Sequence, residues 1–509
     1  MKIGFKNFKK FQEFPMIELA PITFLVGSNN SGKSSFIKAL TFLFSNLRNQ
    51  EDTSEVQPHF IKNVSFFQNS ASNYDWGDFT TTLYRGGWND DITFLWNRHG
   101  LMCEFSFGAT PEEIRLNPSL KTTLPVKDFE VESEKHGIVI TNVLNDNIWA
   151  TKSRIAAGRF VEWLKSAIEW LKARIEHRNS ASASMTFKDL ESWDRTVNRR
   201  LGERIETQLA NYEAALQFLE KDPSESWELQ CSLRAETPLE AALHDYFVYC
   251  INSITRIASR KSLYSPAFEY IEAHNAPHTN AIAVNDKNSF LARTVAEFNS
   301  EVPNIPDNSN IYAWVNEWLH KFGIGDFFEI GTHFGGEILT VGVGKKSEEI
   351  EHAFGKLPLM PLASLGTGSI QLFVLLLKIA TVLKRVKEGD EVMIIIEEPE
   401  QNLHPALQSK LADLFLQVNK NTDGKVQFVV ETHSEYLIRR TQVMVARGYD
   451  NEDNDFVNPF KVYYFPEDGT PYDMKYLPSG RFENNFGEGF FDETAKWHLE
   501  IIRREKARK

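Results

Sequence analysis

Gly27-Ser28-Asn29-Asn30-Ser31-Gly32-Lys33-Ser34 decides the fold. It fits the pattern G-x-x-x-x-G-K-[ST] and follows a short apolar run, Ile22–Val26, that reads as a buried strand. From Ser34 to about Leu47, the residues Phe36, Ile37, Leu40, Phe42, Leu43 and Phe44 predict a mostly buried helix. Strand, glycine-rich loop and helix are the context this motif requires. The glycines let the backbone wind closely around phosphate, so that successive N–H groups and the helix N-terminus face negative oxygens. Gly27, Asn29, Asn30, Ser31, Gly32, Lys33, Ser34 and Ser35 are therefore the expected nucleotide-binding residues. Lys33 is expected to reach the β- and γ-phosphates, and the Ser34 hydroxyl to ligate Mg²⁺.

Working outward, a second apolar run, Val392–Ile396, ends in Glu397-Glu398-Pro399-Glu400. Acids at the carboxyl end of a buried strand stand where α/β sheets place their ligands. Glu397 is the expected acid that holds Mg²⁺ together with Ser34, and Glu398 the expected general base that polarises the attacking water. A third run, Val426–Val430, leads through Glu431 and Thr432 to His433, placed to touch a γ-phosphate or that water. Ser364-Leu365-Gly366-Thr367-Gly368-Ser369 opens a helix that runs to about Val386. Small residues at a helix start form another anion site. One nucleotide does not need two cradles, whereas two chains facing each other would use both. Ser364, Gly366, Thr367 and Gly368 are thus expected to act in trans.

The order P-loop, long insertion, glycine-rich helix start, acidic strand end and His strand predicts an α/β fold. It resembles the layout of an ABC-type P-loop ATPase head, with a mixed sheet and an inserted helical hairpin. Residues 1–150 form the expected N-terminal lobe, with antiparallel strands in the bursts Phe79–Tyr84, Ile92–Trp96, Met102–Phe107 and Ile138–Thr141. Residues 151–330 form the helical insertion, with its hairpin near 153–219, broken near Asn179–Ser184. A C-terminal lobe at 331–461 carries the signature, acidic and His elements, and 462–509 forms a tail with a hairpin around Asp468-Gly469 and a closing helix. Gln57 and Gln68 are the nearby glutamines that could bridge Mg²⁺ to the rest of the head.

The layout resembles the RecF/OLD-like branch of soluble ABC-type ATPases. Glu397-Glu398-Pro399-Glu400-Gln401-Asn402-Leu403-His404-Pro405 is similar to that branch's E-E-P-E-x-x-L-H-P segment, and Leu365–Gln371 to its signature loop. Gly489-Phe490-Phe491-Asp492-Glu493 resembles a C-terminal segment found on some of these ATPases. The resemblance covers residues 1–50 and 360–440, and the middle third only by position. It implies ATP and Mg²⁺ as cofactors and two ATP molecules sandwiched in a homodimer or higher assembly, with Pro399–Pro405 crossing the interface. Many ATPases of this branch are subunits of bacterial anti-phage systems, among them the PtuA-type ATPase of Septu and the retron-associated and PARIS ATPases. It therefore implies a sensor or regulatory ATPase that controls a separate nuclease or toxin. OLD nucleases add a metal-nuclease Toprim domain. The roughly 75 residues after His433 are short for an ordinary domain of about 100, so nuclease activity of the chain's own is not expected.

Composition narrows the alternatives. In 509 residues, 42% are apolar and 25% charged, which excludes a mainly disordered or collagen-like chain. The net charge of −13 weighs against a head that acts directly on DNA, the RecF/SMC-like repair alternative, because phosphate neutralisation needs clustered Lys and Arg. Basic clusters at Lys6–Lys10, Arg195–Arg204 and Arg503–Lys509 read as solvated faces, and nucleic acid remains a conceivable partner. The longest apolar stretch, Ile370–Leu383, is interrupted by Gln371 and Lys378, so no membrane partner is expected. The N-terminus lacks an apolar signal core, and Cys103, Cys231 and Cys250 are scattered. Both point to the cytoplasm.

Overall fold

The computed structural model describes residues 1–48, 63–66, 78–84, 90–98, 100–145, 148–179, 205–221, 226–230, 237–258, 267–272, 282–284, 286, 289–346, 358–387, 391–450, 456–487 and 491–507. Gln57, Gln68, Cys231, the 180–204 part of the expected hairpin, the Arg195–Arg204 cluster and Gly489-Phe490 lie outside them. The fold is α/β with mixed sheets, and the chain divides into two compact units. One comprises residues 1–18, 45–69 and 75–265, and the other 19–44, 70–74 and 266–509.

The second unit carries the P-loop. Its main sheet has the order Ala267–Ile271, Val392–Glu397, Val426–Glu431, Ile22–Gly27, Phe460–Phe465, Tyr472–Asp473. The first five strands are parallel and the last is antiparallel. Near-continuous apolar runs suit strands buried on both faces: Ile22, Phe24, Leu25, Val26, Ile394, Ile395 and Val430 have no exposed surface. The His strand lies between the P-loop strand and the acidic strand, in the register Glu397↔Glu431↔Leu25. Parallel pairing in that register brings Gly27, Glu397 and Glu431 to one edge of the sheet. The P-loop helix spans Lys33–Arg48, and the signature helix, Thr367–Lys387, is buried along most of its length. Lys378 and Arg385 of that helix bind Glu269, Glu297 and Glu301, Arg385 reaching Glu301 at 2.6 Å. The residue that interrupts the apolar stretch is thus neutralised by carboxylates from a neighbouring strand and helix. A smaller antiparallel sheet orders Ile282–Ala283, Ile338–Gly344 and Phe327–His333, with Leu359–Pro361 paired to the middle strand.

In the first unit, a nine-stranded sheet includes Lys2–Phe8, Ile92–Arg98, Leu101–Phe107, Thr123–Ser133 and Ile138–Asn145. Phe79–Tyr84 departs from expectation. Asp78 caps a helical turn at Phe79–Thr82, its carboxylate accepting from Thr81 N at 2.9 Å, and this local cap prevails over the strand preference of three threonines. The expected hairpin is represented by helices Ala157–Asn179 and Ile205–Lys221, preceded by the strand Ile148–Ala156. Helix Pro238–Ala258 packs against both. Among the described residues no helix is long and apolar enough to cross a membrane.

Candidate nucleotide site

Gly27 closes the P-loop strand at φ +149°, and a Cβ there would stand 2.2 Å from the Phe465 carbonyl oxygen. Only glycine fits. Asn30 and Gly32 are also left-handed, at φ 62° and 106°, so the loop curls into a concave row of amides. The Ser28 and Ser31 hydroxyls are buried there without a hydrogen-bond partner. Orphaned donors in a concave backbone suit an anion with many acceptor oxygens. Asn29 and Asn30 are exposed, and Ser35 is half-buried behind them.

Lys33 is 3% exposed and donates to the carbonyls of Gly27 at 3.0 Å and Ser28 at 2.8 Å. Its ammonium stands 3.7 Å from Glu431. Burial pulls its pKa down, with Glu431, Glu398 and Glu400 opposing. Ser34 donates to the Glu431 carboxylate at 3.2 Å. Burial pushes the Glu431 carboxyl up to about 7 against the pull of Lys33, and Glu397 and Glu398 push the same way as burial. Glu431 is therefore the acid that touches the P-loop hydroxyl. Glu397, expected in that place, sits beside it in register, and burial raises its pKa while a hydrogen bond with Tyr270 and the charge of Lys38 oppose.

Glu398 leaves the sheet in the left-handed region, at φ 43°, while its N–H still donates to the Glu431 carbonyl at 2.8 Å. A non-glycine residue held there costs about 1–3 kcal/mol and signals a function-bearing turn. Gln401 hydrogen-bonds its carboxylate, and His433 Nε2 stands 3.7 Å from it. Burial, then Lys33, lowers the His433 pKa, while Glu398 raises it. The imidazole is therefore neutral at neutral pH. Ligand atoms of Glu398, Glu431 and His433 all lie within 4.8 Å of one another. Within this group the Glu431 carboxylate, with the Ser34 hydroxyl that donates to it, supplies the oxygen donors that fit a hard cation such as Mg²⁺.

Glu400 gains a role that the sequence motifs do not give it. It is 7% exposed and accepts from His433 N at 2.6 Å, holding the turn that carries the imidazole. Glu431 has a signal in the sequence that the motifs do not use: it ends its strand as Glu397 ends its own. The signature residues meet the acidic segment from another side. A Cβ on Gly368 would lie 2.4 Å from the Asn402 carbonyl oxygen, and Asn402 donates to Gln371 at 3.2 Å. Ser364 and Gly366 are exposed, with Gly366 facing open space, and Thr367 is half-buried.

A glycine-cradled anion site on a parallel sheet, flanked by strand-end acids, defines a P-loop nucleotide-binding protein. The AAA ATPase domain model matches residues 1–438, and the chain belongs to that family of ATPases. No curated protein matches it. Three solved structures are similar in part. An Smc head bound to the C-winged helix domain of ScpA is 12% identical with a TM-score of 0.35, over 93% of this chain and 96% of that one. A Pyrococcus furiosus Smc head with an extended coiled coil, bound to the C-terminal domain of ScpA, is 12% identical with a TM-score of 0.32, over 99% and 98%. The SMC head domain from Thermotoga maritima is 10% identical with a TM-score of 0.32, over 93% and 98%.

Proposed function

We propose that this ATPase is a nucleotide-gated switch that closes two copies of itself over ATP and reopens on hydrolysis. The observation that carries the reading is the convergence of Lys33, Ser34, Glu398, Glu431 and His433 at one sheet edge, while Ser364 and Gly366 stand exposed at the start of their own helix. The P-loop amides with Lys33 bind the phosphates, and Ser34 and Glu431, with Glu397 beside them, are the oxygen donors for Mg²⁺. A bound Mg²⁺ would neutralise charge on the β- and γ-phosphate oxygens. Glu398 accepts a proton from the water that attacks the γ-phosphorus, as the bond to the ADP oxygen breaks. His433, neutral and held through Glu400, orients that water or the γ-phosphate. The exposed signature residues of one copy cover the γ-phosphate held by the other.

The resemblance to the RecF/OLD-like branch extends this reading to a regulatory subunit of an anti-phage system, acting through a separate nuclease or toxin. The test is mass photometry with steady-state ATPase on wild type, Lys33→Ala and Glu398→Gln. Glu398→Gln is expected to accumulate a dimer or larger assembly in ATP with little turnover, and Lys33→Ala not to bind nucleotide. Unchanged turnover in Glu398→Gln would overturn the base, and an assembly indifferent to ATP would overturn the gating. ATP-gated, salt-dependent DNA binding would shift the reading to a repair ATPase that acts on DNA itself.

A further inference from the structure

The first unit holds a cavity of about 330 Å³ that none of the ATPase chemistry uses. It lies between helix Ala157–Asn179, helix Pro238–Ala258 and the turn joining strands Thr123–Ser133 and Ile138–Asn145. Its walls are aromatic. Trp163 and Trp170, two helical turns apart, come from the first helix, and Tyr246 and Tyr249 from the second. Trp163 stands 5.1 Å from Tyr246 and 6.0 Å from Tyr249, ring centroid to centroid, so these rings pack together as one aromatic wall. The buried Tyr246 donates its hydroxyl to the His136 carbonyl and backs the half-buried rings around it.

Charge gathers around the same cavity. Lys135 and Arg159 line it, and both are exposed. The left-handed Gly137, at φ 58°, lets the turn lie against Arg159: a Cβ there would meet Arg159 Cγ at 2.7 Å. The one acid on the lining, Glu162, is paired with Arg159 at 3.1 Å. The buried His136, also on the lining, shares a hydrogen bond at Nδ1 with Ser133 Oγ at 2.8 Å. Burial lowers its pKa, so the ring is a neutral hydrogen-bonding group.

Flat π faces select a planar ring, and the net positive lining, Lys135 and Arg159 against the single acid Glu162, selects a negative substituent. A cationic ligand would meet Lys135 and Arg159, and a purely aliphatic one would leave both unmatched. We propose that this cavity binds a nucleobase against the half-buried rings of Trp163, Trp170 and Tyr249 and the attached 5′-phosphate through Lys135 and Arg159, either as a free nucleotide or as the 5′ end of a single strand. Base–aromatic stacking tolerates every base, so the site reads the presence of a nucleotide more than its identity.

The test uses the full-length Lys33→Ala protein, which lacks the P-loop lysine, and follows tryptophan fluorescence. The probes are dTMP, thymidine and a 5′-phosphorylated oligo-dT. Saturable quenching by dTMP or the oligonucleotide is expected, weakened at least tenfold by Lys135→Glu, by Arg159→Glu and by removal of the phosphate. Both charge reversals lie on exposed side chains, and circular dichroism will check that they fold. Trp170→Ala is expected to weaken binding to a similar degree. Tighter binding of the mononucleotide supports a free nucleotide, and tighter binding of the oligonucleotide supports a strand end. Absence of saturable quenching up to about 1 mM, the weak end of specific affinities, would overturn the proposal. So would affinity unchanged by both charge reversals. Because Lys33 is already removed, neither result bears on the ATPase reading.

Discussion

Ser34 Oγ donates to the Glu431 carboxylate at 3.2 Å, across 397 residues of sequence. The first residue after the P-loop lysine thus finds its acid on the strand next to its own. Glu431→Gln is expected to retain ATP binding through Lys33 and the loop amides while losing about 10- to 100-fold in turnover, the usual cost of a disturbed metal-holding acid. Ser34→Ala is expected to fall similarly, and the double variant no further than the worse single one, since the two act as a pair. Nucleotide titration beside a Mg²⁺ titration of turnover checks this. Additive losses would separate the two residues.

How much of this was legible in the sequence depends on the range of the signal. The three strands ending at Gly27, Glu397 and Glu431 are written as continuous apolar runs, and the helices around them as periodic ones. Their order in the sheet is not written locally, because parallel strands pair across hundreds of residues, and that order is what gives Ser34 to Glu431. The strand Thr123–Ser133 is hidden in the sequence for a different reason. Its alternation slips one residue at Lys127, where Ser106 faces Asp128 but Phe107 faces Val126, and a bulge hides the two-residue period. The segments outside the described residues leave Gln57 and Gln68 as sequence expectations.

Glu400 makes stability depend on pH. Burial raises its folded pKa to about 7, above the roughly 4.3 of a free Glu. A raised carboxyl pKa means that the folded state binds the proton more tightly. Its contribution is complete below the unfolded value and is lost as pH rises through about 7. At 1.36 kcal/mol per unit, the full span is on the order of 3 kcal/mol. Without nucleotide the protein is expected to melt at lower temperature at pH 8 than at pH 5.5, and Glu400→Gln, which cannot ionise, to flatten that slope. Thermal scans at both pH values check it; an equal slope in the variant would mean that other groups carry the dependence.

Gly27→Ala is expected to be costly before nucleotide enters. The added Cβ meets the Phe465 carbonyl oxygen at 2.2 Å from a backbone at φ +149°, and the obstacle is a neighbouring strand that cannot yield cheaply. A loss of about 2–3 kcal/mol is expected from strain at such a position, read as a lower denaturant midpoint. A normal midpoint would show that the strand edge can move.

The signature loop offers the sharpest pair of variants, because its two glycines differ in what surrounds them. At Gly368 a Cβ would press on the Asn402 carbonyl at 2.4 Å, within the segment that follows Glu398; at Gly366 nothing lies within 4 Å. Gly368→Ala should therefore injure the fold itself, with a lower melting temperature and reduced turnover in proportion. Gly366→Ala should leave melting within about 1 kcal/mol of wild type, as exposed substitutions usually do. If Gly366 covers a phosphate held by a second copy, the same methyl is expected to lower turnover at least tenfold and to suppress the ATP-dependent assembly. Mixing provides the decisive arm. Gly366→Ala combined with Lys33→Ala protein should regain one working site, made from the intact P-loop of the first and the intact signature loop of the second. Full turnover in Gly366→Ala alone, or no recovery on mixing, would remove the signature loop from the active site of a partner.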